Sequence, residues 1–141
     1  MYFVCSYSKK IYNNIKKPIT FSDIGKPLEV RYNWEGVKKD IDIDESHKTL
    51  WRYRSVLPKV NNIISLGEGY TPLQQLAPDL YVKNETVNPT GSFKDRGMSL
   101  AVTLAKAQGV EEICLPSAGN AGISAAASVS YTHLTLPTSV T

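Results

Sequence analysis

Residues 88–97 read NPTGSFKDRG, and the fold turns on how this stretch is read. Asn88-Pro89 and Thr90-Gly91 are two turn signals in succession. Ser92 is a good helix N-cap, and Asp95 three positions on makes a capping-box-like pair with it. A helix starting here presents Phe93, Gly97, Leu100 and Leu104 on one face, and Gly109 stops it. Lys94 then falls in the first turn. The positive end of the helix dipole disfavours an ammonium there, whereas lysines are favoured in a last turn. Dry surroundings would push the same way, and a neutral amine is what Schiff-base chemistry needs. Capped helix starts that contain a lysine are also common. Taken alone, the stretch stays open between an ordinary turn with its cap and a device for tuning an amine.

The flanks extend the pattern in both directions. Upstream, ISLGEGYTPL (64–73) reads as a strand end and a turn, and DLYVKNE (79–85) as a strand. Downstream, EEICLP (111–116) reads as a short apolar strand, SAGNAG (117–122) as a turn, and ISAAA (123–127) as the opening of a second helix. Strand, turn and helix, twice over, predict an α/β domain with a parallel sheet. In PSAGNAG (116–122) the glycines and alanines let the backbone approach a ligand closely, and the start of a helix offers unpaired N–H groups to an anion. Asn120 adds an amide that can bond a phenolate-type oxygen. The stretch is neither a dinucleotide fingerprint nor a P-loop, and a plain glycine turn before an alanine helix stays open beside the anion site. Jointly the two stretches place a lysine and an anion loop at one edge of the expected sheet. An aldehyde cofactor and a substrate carboxylate would suit that edge.

The remaining segments are plainer. TLWRYRSVLP (49–58) predicts a short helix that buries Trp51, Leu50, Val56 and Leu57 and ends at Pro58. YFVC (2–5) and PLEVRYNW (27–34) read as strands. DIDIDESHK (40–48) reads as a solvated acidic segment, without the glycine and spaced glutamate of a calcium loop. Cys5 opens something like a zinc knuckle, but Ser8 stands where a second cysteine would be needed, so a four-ligand zinc site fails and no metal is expected. With 141 residues, 42% of them hydrophobic and 21% charged, the composition is that of one ordinary globular domain. A net charge of +3 is too small to argue for nucleic acid or an anionic membrane as partner. No signal peptide or membrane span is legible, and Cys5 and Cys114 make no disulfide framework, so a cytoplasmic protein is expected.

Three motifs carry a family resemblance: LGEGYTPL (66–73), LYVKNETVNPTGSFKDRG (80–97) and LPSAGNAGISAAA (115–127). They resemble the threonine synthases, within the fold-type II (tryptophan synthase β-like) family of pyridoxal-phosphate enzymes. The resemblance implies the N-terminal part of such an α/β fold, a parallel sheet with flanking helices, cut short. It implies pyridoxal 5′-phosphate as cofactor and Lys94 as both the catalytic and the Schiff-base lysine. Asn120 would then bond the cofactor's 3′-oxygen, and Ser117, Gly119 and Ala121 would belong to the loop that receives the substrate α-carboxylate. The implied reaction converts O-phospho-L-homoserine and water to L-threonine and phosphate, in a homodimer when the enzyme is whole. A serine/threonine dehydratase-like lyase and a non-catalytic anion-binding α/β module are the alternatives.

On this reading residues 1–50 are an N-terminal segment with a degraded knuckle and 51–127 a partial cofactor domain. Residues 128–141 form a tail unlike the family, which resembles read-through into adapter sequence. The family's loop for the cofactor phosphate is not among these residues. Marginal stability and poor cofactor binding are therefore expected of the chain.

Overall fold

In the computed structural model, which describes residues 2–13, 19–35, 41–117 and 119–132, the chain divides into two units, Met1–Ile41 and Asp42–Thr141. The first unit is a three-stranded antiparallel sheet of β1 (Tyr2–Cys5), β2 (Ile11–Tyr12) and β3 (Leu28–Arg31), in the order β2-β1-β3. Phe3 lies opposite Tyr12, and Tyr2 to Cys5 pair with Arg31 to Leu28. The expected strand 27–34 is thus shortened to residues 28–31.

Cys5 is the buried centre of this unit. The Ser8 N–H donates to its Sγ at 3.4 Å, and a left-handed Lys9 (φ 59) lets its own N–H reach the Cys5 carbonyl. The Cys5 thiol donates to Ser22 Oγ at 3.4 Å, and Ser22 Oγ also accepts from the Lys26 N–H at 3.1 Å. A thiol–hydroxyl pair therefore ties two turns together. The Ser22 hydroxyl, and then that of Ser8, stabilise the thiolate and bring the Cys5 thiol down to about 7. Among the described residues no group of three or more His, Cys, Asp or Glu is placed to hold a metal.

The second unit begins with a 3-10 turn at Leu50–Tyr53, capped by Thr49, whose side chain accepts from the Trp51 N–H. The longer helix expected to run on to Pro58 does not form. The Arg52 carbonyl that would continue it accepts instead from the Asp44 N–H at 2.8 Å, and the Leu50 N–H goes to the Glu68 carbonyl at 2.8 Å. The first of these bonds takes a carbonyl that an α-helix would have used, while the second satisfies an N–H that a helix start leaves free. Trp51 is buried as expected, while Leu50, Val56 and Leu57 are only partly covered.

β4 (Leu73–Ala77) and β5 (Leu80–Lys83) form a hairpin joined at Pro78-Asp79, with Leu73 opposite Lys83 and a register irregularity between Gln75 and Ala77. Every strand pair among the described residues is antiparallel. The expected parallel sheet does not form among them. A parallel partner needs a crossover connection, and β5 meets β4 first, two residues away. Residues 111–116, expected as a strand, form no named strand. Their Ile113 packs instead, with Ile64, on Val102 and Val129.

Helices α1 (Lys94–Ala107) and α2 (Asn120–Ser130) pack together around that cluster. Gly109, at φ 73, follows the end of α1 as the sequence predicts. The buried face of α1 is not the predicted one. Asp95, Ser99, Val102 and Thr103 are buried, whereas Phe93 and Gly97 are exposed and Leu100 and Leu104 lie between. The reason is polar docking. Ser99 Oγ accepts from Trp51 Nε1 at 3.0 Å and donates to the Ile64 carbonyl at 2.7 Å, and Thr103 Oγ1 accepts from the Ile64 N–H at 3.0 Å. Hydroxyls satisfy a loop that runs without a strand partner.

α2 continues to Ser130, so residues 128–130 of the segment set apart as a tail are helical, with Ser128 and Val129 buried. The rest of that segment from 133 onward lies outside the described residues. No helix among the described residues is long and apolar enough to cross a membrane.

Candidate functional site

Lys94 is the first residue of α1, and its entry loop explains why. Asn84 caps a 3-10 turn at Glu85–Val87, and Asn88 ends it with its side-chain amide on the Glu85 carbonyl at 2.8 Å. Gly91, at φ 75, turns the chain back, with its N–H on the Asn88 carbonyl at 2.8 Å. Ser92 Oγ then accepts from the Lys94 N–H at 3.2 Å, so the predicted cap is present. The reciprocal half of the capping box is not. The Asp95 carboxylate, 1% exposed, reaches back to the Thr90 N–H at 2.7 Å and to the Thr90 hydroxyl. Asp95 therefore clamps the turn instead of completing the box. The Lys94 side chain is exposed, and its Nζ lies 4.8 Å from the centroid of the Phe93 ring. Dry surroundings for this amine are not supplied by the described residues.

The second loop leads into α2. Ser117 Oγ accepts from the Gly119 N–H at 3.3 Å, Gly119 occupies the N-cap position, and Asn120 opens the helix with its side chain exposed. Ala121 is half-buried. At Gly122 an added Cβ would fall onto the Ser117 carbonyl, so only glycine lets the loop fold back over the first turn of α2. Ser117 and Gly119–Ala121 thus share one loop and helix start, while Lys94 opens the neighbouring helix.

Between the loop that enters α1 and the 64–72 segment lies a polar network that no local pattern announces. Arg96 Nε donates to Glu85 Oε2 at 2.7 Å and its Nη2 to Glu85 Oε1 at 2.9 Å, a bidentate pair. The Thr71 hydroxyl donates to Glu85 Oε1 at 2.6 Å, and Asn88 Nδ2 donates to Oε2 at 2.9 Å. Asn88 Oδ1 in turn accepts from the Gly69 N–H at 2.9 Å. The Arg96 guanidinium, followed by the Thr71 and Asn88 donors, holds the Glu85 carboxyl down to about 2, and Glu85 raises Arg96 in return. Glu85 and Arg96 are eleven residues apart on different elements, so neither helical nor strand spacing could have paired them. Buried Glu68 accepts from Ser65 Oγ and the Leu66 N–H, which shapes the same segment from the other side.

Comparison with known proteins bears on these loops. The family model described as pyridoxal-phosphate dependent enzyme matches residues 64–135, which contain both loops and the polar network. Threonine synthase of Methanocaldococcus jannaschii is 42% identical over 118 residues, covering 74% of this chain and 29% of that protein. Threonine synthase of Methanosarcina acetivorans is 38% identical over 66% of this chain and 25% of its own length. That of Bacillus sp. (strain ULM1) is 49% identical over 55% of this chain and 25% of its own length. The chain thus spans between a quarter and a third of the length of these relatives.

Proposed function

The chain belongs to the pyridoxal-phosphate dependent enzymes, and from that premise we propose that the protein carrying it is a threonine synthase, a lyase that converts O-phospho-L-homoserine and water to L-threonine and phosphate. The observation that carries the proposal is a reactive side chain at the start of each of two packed helices. Lys94 opens α1 with an exposed amine, and Asn120 opens α2 with an exposed amide, on helices that pack against each other. The threonine synthases named above support the choice of substrate.

The residues fit the cofactor in three respects. The Lys94 amine is accessible to an aldehyde. The Asn120 side chain is open to a ring oxygen. The glycine at 122 leaves room for the Ser117 carbonyl over the first turn of α2. Pyridoxal phosphate, when bound, supplies the aldehyde and a ring that takes up electron density from the substrate's α carbon. Lys94 would hold the cofactor, and its amine, once displaced by that of the substrate, would carry protons between carbon atoms. Asn120 Nδ2 would donate to the 3′-oxygen. The backbone N–H groups around Ser117, Gly119 and Ala121, at the positive end of α2, would receive the substrate carboxylate.

The test has two parts. Protein carrying this sequence is saturated with pyridoxal phosphate, reduced with borohydride and mapped by mass spectrometry. The label is expected on Lys94 and is lost in Lys94→Ala; a label confined to another lysine refutes the assignment. Phosphate release from O-phospho-L-homoserine is then measured beside keto-acid formation from serine and threonine. Keto acid without phosphate release replaces the synthase with a dehydratase.

A further inference from the structure

The most cation-rich cavity among those described lies on the far side of α1 from Lys94. It measures about 430 Å³ and is lined by Arg52 and Tyr53 of the 3-10 turn, Tyr70 and Thr71 of the loop before β4, Lys83 of β5 and Arg96 of α1. Lys94 and Arg96 are two residues apart on one helix, which turns them roughly 200° from each other. Three cationic side chains therefore converge on a hollow that Lys94 does not line.

The charge in this hollow is only partly compensated. Arg96 is paired with Glu85. Lys83 Nζ donates to the Thr71 carbonyl, a neutral acceptor. Arg52 has no ion pair and no side-chain hydrogen bond among the described residues, and its Nε is buried without an acceptor. Its guanidinium is instead fixed by two rings, 4.8 Å from the Tyr70 centroid and 5.8 Å from that of Tyr53. A buried N–H on a charged group calls for an acceptor.

The loop is built to hold this arrangement. Tyr70 sits at φ 52, in the left-handed region that disfavours a bulky side chain. At Gly69 (φ 91) an added Cβ would come within 2.6 Å of the Leu50 nitrogen, so the loop is pressed against the 3-10 turn that carries Arg52. A non-glycine residue held in the left-handed region is the kind of strain that clusters at ligand sites.

We propose that this cavity is a second binding site, separate from Lys94, that takes the phosphate group of inorganic phosphate or of a small phosphomonoester. A preset guanidinium offers the planar fork that a phosphate accepts, Lys83 adds a point charge, and Thr71 and the two tyrosines border the same space. The proposal does not depend on the identity of the reaction at Lys94.

The experiment titrates the full chain with inorganic phosphate, and in parallel with methyl phosphate, while the Arg52 Nε–H signal is followed by NMR at constant ionic strength. Saturable movement of that signal is expected with phosphate and not with chloride. Arg52→Gln and Lys83→Gln, followed by isothermal titration calorimetry, should each weaken binding by about tenfold, the loss expected for one charged hydrogen bond. Lys94→Ala should bind as the parent does. Equal response to chloride, or unchanged affinity in both cavity variants, overturns the proposal. So does loss of binding in Lys94→Ala, which would place the anion at the other site. Tighter binding of methyl phosphate than of inorganic phosphate assigns the site to an ester, and the reverse assigns it to the free ion.

Discussion

Replacing Glu85 with glutamine removes one charge and keeps the shape, and its cost can be worked from the geometry. Glu85 accepts from Arg96 twice, from Thr71 and from Asn88, and about a quarter of its side chain is exposed. The depression of its carboxyl from 4.5 to about 2 corresponds to roughly 3 kcal/mol at full weight, and to about 2 kcal/mol once solvent screening of a partly exposed pair is allowed for. Glutamine also leaves Arg96 without its carboxylate, so a loss of about 2–3 kcal/mol at pH 7 is expected. Because the folded value lies below the unfolded one, the stabilisation is complete above about pH 4.5 and disappears as the pH falls towards 2. Urea denaturation of the parent and Glu85→Gln chains between pH 2 and pH 7 reads this out, since other carboxylates cancel in the difference. The two curves should be furthest apart at neutral pH and converge near pH 2. A difference under about 0.5 kcal/mol at pH 7, the size of an ordinary surface substitution, would refute the reasoning. A larger difference that does not shrink on acidification would do the same.

Two further outcomes follow from the same packing. Gly69→Ala combines a positive φ with a Cβ placed 2.6 Å from backbone, and neither can be relieved by a side chain moving. It should cost on the order of 3 kcal/mol in thermal or urea denaturation, whereas Gly97→Ala, where nothing lies within 4 Å, should be neutral or stabilising. In the native chain at pH 8, iodoacetamide should label exposed Cys114 quickly and Cys5 only after unfolding, as read by mass spectrometry. A thiol held down to about 7 is mostly thiolate at that pH, so rapid native labelling of Cys5 would mean that its burial is not maintained.

Local chemistry was legible wherever neighbours in sequence decide the outcome. The Asn-Pro and Thr-Gly turns, the Ser92 hydroxyl on the first turn, the position of Lys94 at the start of α1 and the stop at Gly109 all appear where the sequence places them, whereas α2 opens at Asn120, three residues before the expected start at Ile123. The buried face of α1 did not follow from its apolar spacing. Ser99 and Thr103 are buried because Trp51 and the Ile64 backbone, far off in sequence, use their hydroxyls. The helix expected to run on to Pro58 stopped because the distant Asp44 N–H claimed the Arg52 carbonyl, and 80–83 failed as a parallel strand because the adjoining β4 claimed its hydrogen bonds.

What the sequence by itself determined is therefore the start of α1 with Lys94 in its first turn, and its stop at Gly109, since caps, turns and glycines act over a few residues. Only the tertiary structure paired Glu85 with Arg96 and set Arg52 between Tyr53 and Tyr70 beside Lys83. Those partners lie on elements with no common period. Their energies come from desolvation and ion pairing across the fold, which a one-dimensional pattern does not record.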